Sequence, residues 1–158
     1  MRRKVLLITL VVVLAAIGLW FAFTVSVSAL DQPGSVETYI ATKAKRWIVG
    51  RSARSELPPE PSSDDASIAV GRMLFGGLCA SCHGFDGRTA TALGSWMYPR
   101  VPDLGSPEVQ EWSDAEFFWI IKHGIRLTGM PGFGNTQSDE EIWHLVHYTR
   151  TLGGQPQD

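Results

Sequence analysis

The chain has only two cysteines in 158 residues, which excludes the multi-disulfide framework of small secreted domains. It has no internal repeat and no run of alternating apolar residues long enough to read as a strand, so the sequence points to an all-α protein. It also has no charged residue between Val5 and Leu30. The strongly apolar part of that stretch, Val5 to Phe23, covers nineteen residues. As a helix it would be about 28 Å long, close to the roughly 30 Å of a hydrocarbon core. Cleavable signals have shorter apolar regions of about 7–15 residues. An uncleaved anchor over residues 1–30 is therefore expected ahead of a signal peptide, for which Val27-Ser28-Ala29 would serve as cleavage tail. Trp20 and Phe21 suit the membrane interface, and Arg2, Arg3 and Lys4 keep the N-terminus inside, which places everything after residue 30 outside the cytoplasm.

The net charge of −2 hides an asymmetry. Residues 1–63 carry eight Lys/Arg and four Asp/Glu, a balance of +4, whereas residues 64–158 carry six and twelve, a balance of −6. An acidic main domain excludes nucleic acid as its partner. Residues 31–63 read as an amphipathic helix followed by a linker. In the helix, over 31–56, Val36, Ile40, Ala44, Trp47 and Ile48 recur at helical spacing among Lys43, Lys45, Arg46, Arg51 and Arg54. Such a basic helix either lies on anionic headgroups or packs on the acidic domain. Pro58, Pro59 and Pro61 then break helical structure and mark the linker, which would let the domain swing.

Residues 64–158 read as helix, loops, helix, loop, helix. Ser63 or Asp64 caps the first helix, which runs to about Leu78 and includes Met73 as a packing residue. Ser113 with Glu116, and Ser138 with Glu141, form capping boxes at the starts of the other two, which stop at Gly124 and Gly153. Residues 84–111, rich in Gly and Pro, read as loop. Three short helices and so much loop bury little apolar surface, and long structureless loops usually signal function. Something other than side chains is expected to fill the centre.

Both thiols lie in "LCASCHGF", as Cys79 and Cys82 with His83 directly after them. Three chemistries use such a pair. A thioredoxin-like disulfide wants the pair at a helix start beside parallel strands, and neither is in prospect. A zinc site would recruit His144 and His147, but these are two residues apart rather than three to five, on the helix face read as solvent-exposed. Covalent haem attachment uses the residues as they stand. Each thiol adds to one vinyl group on a short turn, and His83 becomes the proximal iron ligand. An exported chain, thiols otherwise free and a missing core all favour one covalent haem c.

The sixth ligand sets the chemistry, because His/Met ligation goes with electron transfer. Met130 is favoured: Gly129 and Pro131 flank it with one free and one fixed backbone, which suits an inward-facing loop. Met97 and His123 are the alternatives. The tryptophans 96, 112, 119 and 143 are read as core rather than as an electron conduit.

These motifs resemble the class I cytochrome c family over residues 67–153. "CASCH" is similar to its attachment site and "GMPGF" to its distal methionine loop. Gly71 and Phe75 stand eight and four residues before Cys79, as in the family's first helix, and Leu145 and Tyr148 are similar to their partners on the last helix. "VPDL" resembles the family's proline segment. The resemblance implies a cytochrome c fold around the haem, with the Pro102 carbonyl accepting a hydrogen bond from His83 and with Tyr98 and Arg100 reaching the propionates. It further implies a non-enzymatic carrier of single electrons between respiratory or dehydrogenase partners, anchored on the periplasmic side of the membrane. A fixed subunit of an oxidoreductase complex, or a haem sensor or peroxidase, are the alternatives. The family's lysine-rich docking face is absent, and the acidic surface suits redox partners with a basic patch.

Overall fold

The computed structural model describes residues 2–24, 26, 28, 30–55 and 57–154. Val27 and Ala29 of the cleavage tail lie outside the described residues. Among those described there are helices and no strand, in two compact units, Met1–Asp31 and Gln32–Asp158. The first unit contains α1, Arg2–Thr24. Its span Arg2–Phe23 is long and apolar enough to cross a membrane.

The second unit holds the other seven helices: α2 (Ser35–Ser52), α3 (Asp65–Leu78), α4 (Ala80–His83), α5 (Ala92–Trp96), α6 (Pro107–Gln110), α7 (Asp114–His123) and α8 (Asp139–Leu152). Its start and stop signals are local. The Asp64 carboxylate accepts the Ser67 amide at 2.8 Å and begins α3. Ser113 and Ser138 each form both halves of the expected capping box with Glu116 and Glu141. Gly124 (φ 70°) ends α7. The stretch 84–111, read from sequence as loop, contains two helical turns. These are α5, capped by Thr91, and α6, capped by Ser106 with Pro107 in its first turn. At four or five residues each they are too short to show a periodicity.

The core is the crossing of α3 on α8, flanked by α7. A Cβ on Gly71 would lie 1.9 Å from the His144 carbonyl oxygen, so the two backbones touch there. One turn on, Phe75 meets Tyr148 edge to face with centroids 5.2 Å apart. Phe118 of α7 packs on Trp143 at 4.7 Å. Burying side chains of this kind contributes about 1.5–3 kcal/mol each. Two expectations fail in the same region. Met73 is 70% exposed, because it leaves the helix about 200° round from Gly71 and Phe75, which face α8. His147 is buried and His144 half-buried, because each presents Nδ1 to Ser67 Oγ at 2.6 Å. His147 Nε2 also lies 3.2 Å from the Glu60 carboxylate, which pins the proline segment to α8. The linker expected to swing is therefore tied down.

Helix α2 packs on α7 and the α6 turn, with Val49 and Ala53 buried. The Arg46 guanidinium lies 4.7 Å over the Trp112 ring and donates to the Glu108 carbonyl at 2.9 Å and to Glu111 at 3.1 Å. The stripe of Val36, Ile40, Trp47 and Ile48 that gave the helix its amphipathic pattern faces outward and is exposed. The opposite face makes the contact.

Gly71→Ala is expected to force α3 off α8 and cost about 3 kcal/mol in denaturant unfolding of the detergent-solubilised protein. Gly77→Ala, where a Cβ meets nothing within 4 Å, should instead be neutral or gain up to about 1 kcal/mol. Arg46→Ala should loosen α2 by about 1.5 kcal/mol, read as a roughly tenfold faster amide exchange at Val49 to Ala53.

Candidate functional site

The attachment motif sits where α3 gives way to α4. The Cys79 amide still bonds the Phe75 carbonyl at 2.9 Å, and the Cys79 carbonyl then accepts the amides of Cys82 (3.1 Å) and His83 (2.9 Å). This tight turn sets both thiols on one side, half-exposed and not joined to each other. Gly84 ends the turn at φ 74°. Burial and the neighbouring Cys82 push the Cys79 thiol from its ordinary 9.0 up to about 12. A redox dithiol works through a lowered pKa at its attacking thiol, the opposite of the shift at Cys79.

Both thiols and His83 line a cleft of about 380 Å³. Its walls are mostly apolar: Phe75 and Leu78 of α3, Ile120 and Ile121 of α7, Leu145 of α8, with Val109, Ile125 and Phe133 between. His83 loses proton affinity chiefly through burial, partly offset by the backbone of Pro102. Its Nδ1 is buried without a full hydrogen bond. The Pro102 carbonyl therefore faces the ring at a looser geometry than a hydrogen bond requires. A neutral imidazole beside a backbone carbonyl is the state a metal ligand needs.

The Met130 loop is bound to the end of α7. The Ile125 amide donates to the Met130 carbonyl at 3.3 Å, the Met130 amide to Thr128 Oγ1 at 3.2 Å, and the Phe133 amide to the Ile121 carbonyl at 3.0 Å. Gly124 is required at its corner, since a Cβ there would stand 2.7 Å from the Met130 carbonyl oxygen. Met130 lines the cleft and so does Met97, whose Sδ lies against Gly129. His123 does not line it; it is exposed and tilts against Trp119 with centroids 4.9 Å apart.

Of the other predicted residues, Pro102 and Arg100 line the cleft, Arg100 as an exposed side chain. Tyr98 does not, and its hydroxyl donates to the Glu37 carboxylate of α2. His144 and His147 stand with Ser67 and Glu60, and among the described residues no group of three His, Cys, Asp or Glu side chains could hold a metal ion. Among the lining residues that sequence reasoning missed are Thr42, Lys45 and Arg46 of α2. Their i, i+3, i+4 spacing was the available signal, masked by the more apolar stripe opposite. Two thiols, a half-buried imidazole and a thioether around an apolar cavity fit a covalently held haem.

Comparison with known proteins agrees with this geometry. The family model "Cytochrome C oxidase, cbb3-type, subunit III" matches residues 66–148, more than half of the chain. A thiosulfate dehydrogenase of Stutzerimonas stutzeri is 27% identical over 132 residues, 71% of this chain and 38% of that protein. The quinohemoprotein alcohol dehydrogenase ADH-IIG of Pseudomonas putida is 30% identical over 130 residues, 81% of this chain and 17% of that protein. The chain thus spans well under two thirds of either relative. Among solved structures, a chain of the Kuenenia stuttgartiensis reducing HAO-like protein complex matches with 25% identity and a TM-score of 0.53, over 63% of this chain and 53% of that one. From the α3/α8 crossing, the Cys-x-x-Cys-His turn, the apolar cleft and the matched family model, the chain belongs to the cytochrome c family, whose members hold haem c covalently and transfer electrons.

Proposed function

We propose that the chain is a mono-haem c-type cytochrome that carries single electrons between redox proteins, with α1 as a single-pass anchor and the second unit on the extracytoplasmic, periplasmic side of the cytoplasmic membrane. The observation that carries the reading is the convergence of Cys79, Cys82 and His83 on a cleft that the Met130 loop also lines. A bound haem c supplies a one-electron iron couple. The two sulfurs would hold the ring, and His83, backed by Pro102, would serve as the neutral imidazole ligand. Met130, on a loop bonded to α7, supplies a thioether, which favours the ferrous state and electron transfer over substrate chemistry. Arg100 stands at the cleft as a propionate partner, whereas Tyr98 is turned to Glu37 of α2. The −6 balance of residues 64–158 favours donors and acceptors with a basic patch, bound more weakly as salt rises.

A second reading, a fixed haem subunit of a respiratory or dehydrogenase complex, is favoured by the docked α2 and by relatives that are themselves named as dehydrogenases. Purification in mild detergent separates the two: a stoichiometric partner supports the subunit, a lone protein the carrier.

The full chain, matured where haem attachment operates, should give a pigment that survives denaturing electrophoresis, and Cys79→Ala with Cys82→Ala should abolish it. Met130→Ala should remove the weak far-red band of thioether–ferric ligation, lower the reduction potential and let carbon monoxide bind the ferrous form quickly, while Met97→Ala leaves all three unchanged. Rapid carbon monoxide binding by the unaltered protein would favour a sensor or peroxidase and overturn the carrier reading.

A further inference from the structure

Helix α2 lies outside residues 66–148 matched by the family model, yet three of its side chains line the cleft. Two of these are cations in different situations. Arg46 is already engaged, stacked on Trp112 and bonded to the Glu108 carbonyl and the Glu111 carboxylate. Lys45 is half-buried, lies 5.9 Å over the same Trp112 ring, and has no carboxylate within ion-pair distance among the described residues. Desolvation lowers its proton affinity, Arg46 lowers it further, and Glu108 offsets them only in part. A partly buried ammonium without an anion is costly. The other charged groups lining this cleft are Arg100 and Asp103 on the loop opposite and Glu108 on the α6 turn.

An anion entering the cleft would relieve that cost. Haem has one strongly anionic edge, its two propionates, and carboxylates brought into an apolar cleft need a cation or hydrogen-bond donors. On the reading that this cleft holds haem c, we propose that Lys45, on the inner face of α2, pairs with a haem propionate, so that α2 is a wall of the cofactor site. Thr42 beside it offers a hydroxyl to the same rim. The pair also gives Lys45, which Glu108 offsets only in part, a reason to face inward, while Lys43, about 200° round the helix, projects to solvent over Tyr39.

The test is equilibrium redox titration of the holoprotein in detergent for the wild type, Lys45→Gln, Lys45→Met, Lys45→Arg and Lys43→Gln. Ferric iron carries one more positive charge than ferrous, so removing a nearby cation favours the ferric form. Lys45→Gln and Lys45→Met should each lower the ferrous-to-ferric ratio at a fixed ambient potential by about tenfold, the scale of a charge interaction near a protein surface. The Met variant keeps the apolar stem, so the same fall there assigns the effect to charge and not to water entry. Lys45→Arg should restore the wild-type ratio. Lys43→Gln, an equal charge change on the outer face, should leave it unaltered, and the Lys45 difference should persist in high salt, which screens exposed charges far more than enclosed ones. Failure of the Lys45 variants to retain pigment, rescued by Lys45→Arg, would support the pairing equally. An unchanged ratio in Lys45→Gln, or an equal fall in Lys43→Gln, would overturn it while leaving the haem reading intact. A wild-type protein without covalent pigment would remove both together.

Discussion

The contact between Gly71 and the His144 carbonyl sets the geometry of everything downstream. Because no side chain separates the two backbones, α3 lies on α8 at a distance that Phe75 and Tyr148 then fill edge to face. Phe75 is followed, four residues on, by Cys79, whose amide it holds. The position of the thiols is thus inherited from a helix crossing. Leu145 and Thr149 of α8 reach the same cleft as Phe75 and Leu78 of α3. One close approach therefore shapes the floor of the cavity and fixes the turn that would hold its contents.

The rest of the cleft is built by loops fastened at several points. Thr91 donates through its hydroxyl to the Ser81 carbonyl at 2.7 Å and through its amide to the Cys82 carbonyl at 3.1 Å, tying the following segment to the attachment turn. Arg150 of α8 donates to Asp114 at 2.5 Å and to the Gln110 carbonyl at 2.9 Å, and lies over the Phe117 ring. These bonds hold α6 and the start of α7 against the last helix. Helix α2 closes the side that they leave. A domain with so little core of its own gains order from such cross-links and from whatever fills the cavity.

What was legible in the sequence was local. Capping at Asp64, Ser113 and Ser138 depends on residues three apart, and each of these signals corresponds to a helix start. The Cys-x-x-Cys-His turn and the glycines around Met130 were readable for the same reason. What escaped depends on partners distant in the chain. Whether α2 lies on headgroups or on the domain was open in the sequence, because its apolar stripe of Val36, Ile40 and Trp47 is not the face that docks: Arg46 docks through Trp112 and Glu111, the latter 65 residues on. His147 looked like a surface residue until Ser67, 80 residues earlier, was placed beside it. Met73 sits on an apolar helix yet faces water, since periodicity gives a stripe and not the neighbour that covers it. The choice between Met130 and Met97 is not local either, as both border the same space.

The Ser67 hydroxyl has a single hydrogen, and two imidazoles stand at it. It can donate to one Nδ1 only, so the other must bring its own proton. Either the serine donates to His147 Nδ1 and accepts from His144 Nδ1, or it accepts from His147 and donates to His144, and in both orders His147 Nε2 stands at the Glu60 carboxylate. The four side chains form one continuous chain of hydrogen bonds, so the proline segment is fastened to α8 through a single shared hydroxyl.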